Sequence, residues 1–149
     1  MASDYATISD ITRFEAKVMP EPNSGCWLWT GAIAGNGYGN FWHDGGHLSA
    51  HVFAYRTFVG DVPARKELDH LCRVRSCCNP AHLEPVTHFV NVMRGASPTA
   101  VNATKTHCPE GHELTGGNLV GHWLRHGMRL CRTCYNARKR EEYYRRRAA

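Results

Sequence analysis

The spacing of seven cysteines limits what this chain can fold into more than any other feature. Three of them stand in the segment LDHLCRVRSCCNPAHLEPVT, residues 68–87, and three more in the last third of the chain. Cysteines at that density are disulfide staples or metal ligands, and the redox compartment decides which. The first residues, MASDYATISDITRFEAKV, carry acids and lack the basic start and apolar run of a secretory signal, and no apolar stretch is long enough to span a bilayer. A reducing, cytoplasmic setting without a membrane partner is therefore expected. The odd cysteine count points the same way, so metal binding is the default.

Spacing then assigns the ligands. Cys108 and His112, followed by the pair Cys131 and Cys134, form the two halves of a tetrahedral structural zinc site, with Gly111 permitting the tight turn in the first half. In the central stretch Cys72, Cys77 and His82 stand at matched intervals, and Cys26, at the head of a strand in GCWLWTG, is the expected fourth ligand. Cys78 is left as a spare thiol that can exchange roles with Cys77. Two structural Zn²⁺ ions per chain are expected.

An apolar fraction of 42% permits a core, but 14 glycines and 7 prolines imply short elements, as in a small α+β protein that depends on such staples. Periodicity predicts a helix over 8–19, capped by Ser9 or Asp10, and two strands in CWLWTG and GYGNFWHDGGHL that pair as a hairpin through AGNG. Their aromatics, Trp27, Trp29, Tyr38, Phe41 and Trp42, are expected in the core. A helix over 49–58 follows and stops at Gly60. KELDHL and HLEPV then read as strands around the loop CRVRSCCNPA, and HFVNVMR as a helix capped by Thr87 and ended by Gly95. This strand, loop, strand, helix order is a ββα unit. The expected division is a first domain over 1–95 with its core at 66–95, a linker at 96–106, and a zinc module at 107–149 with a basic helix.

With the zinc ligands set aside, Asp69, His70 and Asn79 remain in the central stretch, and Asn91 on the helix beyond it. Carboxylate and amide oxygens are hard ligands suited to Mg²⁺, and an imidazole that titrates near neutrality can take a proton from water. That is a workable hydrolytic site. The net charge of +5 is concentrated in the last fifteen residues, YNARKREEYYRRRAA, where six cationic side chains face two acidic ones. Such a face is an electrostatic footprint for nucleic acid.

LDHLC, CCNPAHLEPVT and NVMRG together resemble the HNH nucleases, and within them the zinc-bearing His-Cys box branch of homing endonucleases, which share a ββα-metal core (the HNH, or His-Me finger, fold). RFEAKVMPEPNSGCWLWTG, GYGNF, AHVFAY, KTHCPEGHEL and RLCRTC resemble phage-encoded HNH proteins, so the resemblance runs from about Arg13 to Cys134. It implies a zinc-stabilised ββα-metal core with an N-terminal hairpin and helix. It makes His70 the general base, Asp69 and Asn91 ligands of a catalytic Mg²⁺ or Mn²⁺, and Asn79 the residue that pins the loop. His82, the last H of the family's name, falls instead on a zinc ligand.

The implied reaction is hydrolysis of double-stranded DNA with one divalent metal, leaving 5′-phosphate and 3′-hydroxyl ends. Arg56, Arg73 and Arg75 are candidates to meet the phosphate. Arg138, Lys139, Arg140, Arg145, Arg146 and Arg147 are candidates to bind the duplex, with Tyr135, Tyr143 and Tyr144 beside them. A monomer with one site nicks, whereas a homodimer cuts both strands. A phage-encoded protein of this kind acts in the host cell cytoplasm. The rival class is a noncatalytic zinc-dependent DNA-binding phage protein, which leaves His70 beside Asp69 and the amide of Asn91 unexplained. A secreted nuclease toxin is disfavoured by the lack of an export segment.

Overall fold

A computed structural model describes residues 5–125 and 127–148. The chain divides into two compact units, residues 1–91 and 92–149.

The first unit opens with helix α1 (Ile8–Glu15). Its cap is Thr7 rather than the expected Ser9 or Asp10: Thr7 Oγ1 accepts from the Asp10 N–H, and Asp10 Oδ2 accepts from the Thr7 N–H, a reciprocal box that satisfies two helix-end donors. The helix also ends earlier than periodicity predicts. Residues from Val18 onward are drawn into strand β1 (Val18–Glu21), which pairs antiparallel with β2 (Cys26–Trp29) in the register Val18 to Trp29.

The expected hairpin between the two aromatic strands forms only at its tip: AGNG closes an isolated antiparallel bridge from Ile33 to Gly39, with the Ala34 N–H donating to the Tyr38 carbonyl, but the strands themselves do not pair with each other. Strand β3 (Asn40–His43) pairs instead with β4 (Gly46–Ser49) across Asp44 and Gly45, whose φ values are 48° and 73°. An Asp-Gly pair with two positive φ angles matches the twist of a two-residue hairpin, and this turn carries the full ladder. β2 and β3 are linked through their side chains. A Cβ at Gly39 would lie 2.6 Å from the Trp29 ring, so glycine is what lets the second hairpin close over that indole.

Helix α2 (Ala50–Phe58) completes the core of this unit, in which Phe14, Trp29, Phe41, Phe53, Ala50, Ala54 and Cys78 are buried together. Phe14 and Trp29 each meet Phe41 edge-on at 5.8 Å. The expectation that all five early aromatics are core holds for Trp29 and Phe41; Trp27 and Tyr38 are half-buried, and Trp42 is exposed because it alternates with Phe41 along β3. Strands β5 (Lys66–His70) and β6 (Leu83–Thr87) form the third antiparallel pair, register His70 to Leu83, with a short 3₁₀ turn at Pro80–His82 before β6. Helix α3 (His88–Arg94) follows at once. The ββα order read from the sequence is therefore present.

In the second unit, the stretch expected as a linker contains helix α4 (Pro98–Thr104). Ser97 Oγ accepts from the Ala100 N–H and Pro98 occupies the first turn, where a missing N–H costs nothing, so the Ser-Pro pair within the expected linker is a helix start. Leu114, Leu119 and Cys131 make a small core, and the Arg129 guanidinium donates to the carbonyls of Asn102, Ala103, Lys105 and Leu114. After α5 (Gly121–Arg125), the chain ends in α6 (Arg132–Ala148), which has no buried residue. Among the described residues no helix is long and apolar enough to cross a membrane.

Candidate active site and metal centres

Two groups of four ligands gather in the fold. Cys26, Cys72, Cys77 and His82 bring their donor atoms within 4.8 Å of one another, and so do Cys108, His112, Cys131 and Cys134. Zinc bonds of about 2.3 Å to sulfur and 2.0–2.1 Å to nitrogen in a tetrahedron set ligand atoms roughly 3.5–3.8 Å apart. In the first group His82 Nδ1 lies 3.6 Å from the sulfurs of both Cys26 and Cys77. In the second, the sulfurs of Cys108 and Cys134 are 3.7 Å apart, and His112 Nδ1 is 3.4 Å and 3.3 Å from them. These separations fit a tetrahedral ion and are far beyond the S–S bond of a disulfide. Both groups can hold zinc.

Local structure explains why the first group forms. Cys26 heads β2, tied to the loop by the isolated bridge from Leu28 to Cys77 and by the Cys78 N–H donating to the Trp27 carbonyl. Asn79 closes the loop: its Nδ2 donates to the Gly25 carbonyl at 2.7 Å, and its Oδ1 accepts from the Ala81 N–H at 2.9 Å. Both ends of that amide are used in holding the zinc loop against the β1–β2 turn. The alternative left open between Cys77 and Cys78 is decided by the direction of each side chain, since both are fully buried. Cys77 is in the ligand group, whereas Cys78 lies in the aromatic core with its thiol donating to the Trp27 carbonyl, and burial pushes its pKa up to about 12. Cys77 is also pushed up to about 12 by burial, so a cation is needed to hold it as thiolate.

His70 ends β5 and is 5% exposed. Its Nε2 lies 2.9 Å from the Cys77 carbonyl oxygen, an acceptor only, so this nitrogen carries the proton and Nδ1 keeps the lone pair. Burial pulls the His70 pKa below the ordinary histidine value, against the opposing pull of the Cys77 carbonyl and Asp69. The neutral, proton-accepting form is thus favoured. The rings of Tyr38 and His51 pack against it, at 5.6 Å and 4.7 Å. His51 is itself buried, its Nδ1 has no hydrogen-bond partner, and burial lowers its pKa to about 3, which keeps it uncharged.

Asp69 is 3% exposed and its Oδ1 meets the Arg73 guanidinium at 2.7 Å. Strand alternation puts it on the face of β5 opposite to His70 and the same as Glu67. Glu67 in turn reaches α3: its Oε2 accepts from Asn91 Nδ2 at 2.9 Å and its Oε1 from His88 at 2.8 Å. Those two bonds hold the Glu67 carboxyl below the usual carboxylate range. Asn91, Glu67, His51, Tyr38 and Arg56 line one open cleft of about 520 Å³. His70 and Asp69 are not among its lining residues; they end β5, whose earlier residues Lys66, Glu67 and Leu68 line it. Of the expected arginines, Arg56 sits over the Tyr5 ring, Arg73 meets Asp69, and Arg75 donates to the Asn36 carbonyl and sits over Tyr38.

Residues 49–93 match the family model described as HNH endonuclease, a span that runs from the start of α2 through β5, the zinc loop, β6 and α3. Over those residues the chain carries the sequence pattern of an HNH endonuclease domain. The chain is similar to two curated proteins of Escherichia phage T7: Protein 2.8, 31% identical over 98 residues, and Protein 7.7, 34% identical over 58 residues. The first alignment covers 66% of this chain and 63% of the relative, the second 39% and 45%. The chain therefore spans less than two thirds of either relative. No solved structure gives a significant match.

Sequence reading missed Glu67, His51, Tyr38 and His88 as residues packed around His70 and Asn91. Glu67 was findable: it stands two residues before Asp69 on the same strand face, as i and i+2 positions must. His51 and Tyr38 carried no such signal, because their approach to His70 depends on how α2 and the β3 approach pack.

Proposed function

We propose that the protein is a metal-dependent endonuclease that hydrolyses phosphodiester bonds of double-stranded DNA, with His70 as general base. The observation that carries this reading is the pinned imidazole of His70: one nitrogen is held by the Cys77 carbonyl, the other keeps its lone pair, and both lie within the HNH span. Asp69 and Asn91 offer hard oxygens of the type that bind Mg²⁺ or Mn²⁺, and both adjoin Glu67: Asp69 shares its strand face and Asn91 donates to its carboxylate, so these two residues are the candidates to hold one divalent ion. When bound, that ion would neutralise charge on the phosphate and the departing 3′ oxygen.

The chain's own residues do the rest. His70 takes the proton from the attacking water, and its imidazolium is stabilised by the hydrogen bond to Cys77 and by Asp69 nearby. The Cys77 carbonyl keeps the ring from rotating out of line. Products carry 5′-phosphate and 3′-hydroxyl. Arg56, Arg73 and Arg75 remain the candidates to meet the phosphate, Arg73 by exchanging its Asp69 partner, and the exposed cations of α6 are the candidates to supply duplex affinity.

The two four-ligand groups hold structural Zn²⁺, and the whole acts in a host cell cytoplasm, as a monomer that nicks or a homodimer that cuts both strands. Supercoiled plasmid incubated with protein and Mg²⁺ tests the proposal. Conversion to open-circular or linear DNA is expected for the parent and a loss of roughly 10²- to 10⁴-fold for His70→Ala. No cutting by the zinc-loaded parent, under conditions where it binds DNA, would leave the noncatalytic DNA-binding reading in its place.

A further inference from the structure

We infer that Glu67 is a positioning residue that fixes the amide of Asn91 so that its carbonyl oxygen, and not its nitrogen, is presented for the divalent ion. The inference rests on the reading of Asn91 as a metal ligand. A carboxylate can only accept hydrogen bonds, so the Asn91 group 2.9 Å from Glu67 Oε2 has to be the NH₂. The opposite orientation would set two oxygens against each other. With the nitrogen committed to Glu67, Oδ1 is the atom left to bind a cation, and a hard cation takes only that atom.

A second contact makes the alignment rigid. His88 and Asn91 are three residues apart on α3 and share a helix face, and both donate to the same carboxylate. Glu67 is thereby clamped at both oxygens, and its rotation is fixed by the helix it orients. The clamp matters because α3 has no buried residue to hold it against the strands. Without Glu67, the amide of Asn91 would rotate freely and present nitrogen or oxygen in turn. The nearby negative charge on Glu67 also polarises the amide, which strengthens its oxygen as a ligand, as outer-sphere carboxylates do for metal-bound histidines.

The test titrates Mn²⁺ into the zinc-loaded protein, with free Mn²⁺ read by electron paramagnetic resonance, alongside plasmid cleavage. Glu67→Ala should weaken Mn²⁺ binding roughly 10- to 100-fold, the range for loss of an outer-shell partner. Glu67→Gln keeps the shape and one acceptor, folds if the alanine variant does not, and should stay within about threefold of the parent. In an Asn91→Ala background, Glu67→Ala should cause no further loss. Unchanged Mn²⁺ affinity in Glu67→Ala would overturn the inference, as would a full loss in Glu67→Gln or an undiminished loss in the double variant, which would make Glu67 a ligand itself. If Asn91→Ala binds Mn²⁺ as the parent does, the reading of Asn91 as a ligand fails instead.

Discussion

The Nε2 of His70 lies 2.9 Å from the backbone oxygen of Cys77, whose side chain belongs to the first ligand group. The proposed base is therefore held by the same loop that carries the candidate zinc ligands. Scaffold and chemistry share a residue, one through its sulfur and the other through its carbonyl.

Replacing adjacent cysteines should separate the two roles. Cys77→Ala should lower zinc content from two ions per chain to one, unfold the loop and abolish cleavage by releasing the His70 ring. Cys78→Ala removes a buried thiol from the aromatic core and leaves the ligands intact, so zinc content should stay at two, with a stability cost of about 1 kcal/mol from poorer packing. Metal analysis with chemical denaturation checks both, and loss of zinc in Cys78→Ala would reverse the assignment.

Asn79→Ala should destabilise the first unit by about 1–2 kcal/mol, because it removes both the cap of the 3₁₀ turn and the bond to the Gly25 carbonyl beside Cys26. The zinc of the first group should be extracted faster by chelator than that of the second. Equal extraction rates in parent and variant would show that the amide does not hold the loop.

Burial lowers the pKa of His70 and brings that of His51 to about 3. For a base that works in its neutral form, cleavage should rise with pH and level off below 6.5, the ordinary histidine value. Stability follows the same sign. Both groups take up protons on unfolding, so the native state is favoured above about pH 6.5 and loses that advantage as pH falls toward the folded pKa values. The slope is up to about 1.4 kcal/mol per pH unit for each histidine. In His51→Gln, the acid-side loss of stability measured by denaturation between about pH 6.5 and 4 should be shallower than in the parent.

Replacing Arg138, Lys139 and Arg140 by alanine should weaken duplex binding uniformly across sequences and flatten its salt dependence, by up to about 0.9 in log–log slope for each phosphate left unneutralised. All three lie on the exposed surface of α6. Fluorescence anisotropy at several salt concentrations measures the slope. An unchanged slope would remove this helix from the interface.

Reading the chain alone was enough for features carried by residue type and interval. The two ligand quartets are the clearest, since Cys and His at short spacings have few other uses, and the order of β5, the zinc loop, β6 and α3 follows from patterning. Pairing of the first strands is not legible in this way, because AGNG and the Asp-Gly pair both close turns and only the tertiary structure shows which of them carries a strand ladder. Helix α4 escapes for a related reason: Ser-Pro starts a helix and breaks one with equal ease.

The sequence by itself determined which residues were available: four ligands twice over, and His70 next to Asp69, with Asn91 on the following helix. Tertiary structure alone decided which of two adjacent thiols joins the ligand group, which nitrogen of His70 keeps its lone pair, and that the Asn91 amide donates to Glu67. The physical reason is the same in each case. Identity and spacing specify what a side chain can donate or accept, whereas orientation is set by partners distant in sequence, such as the Trp27 carbonyl that takes Cys78 and the Gly25 carbonyl that takes Asn79.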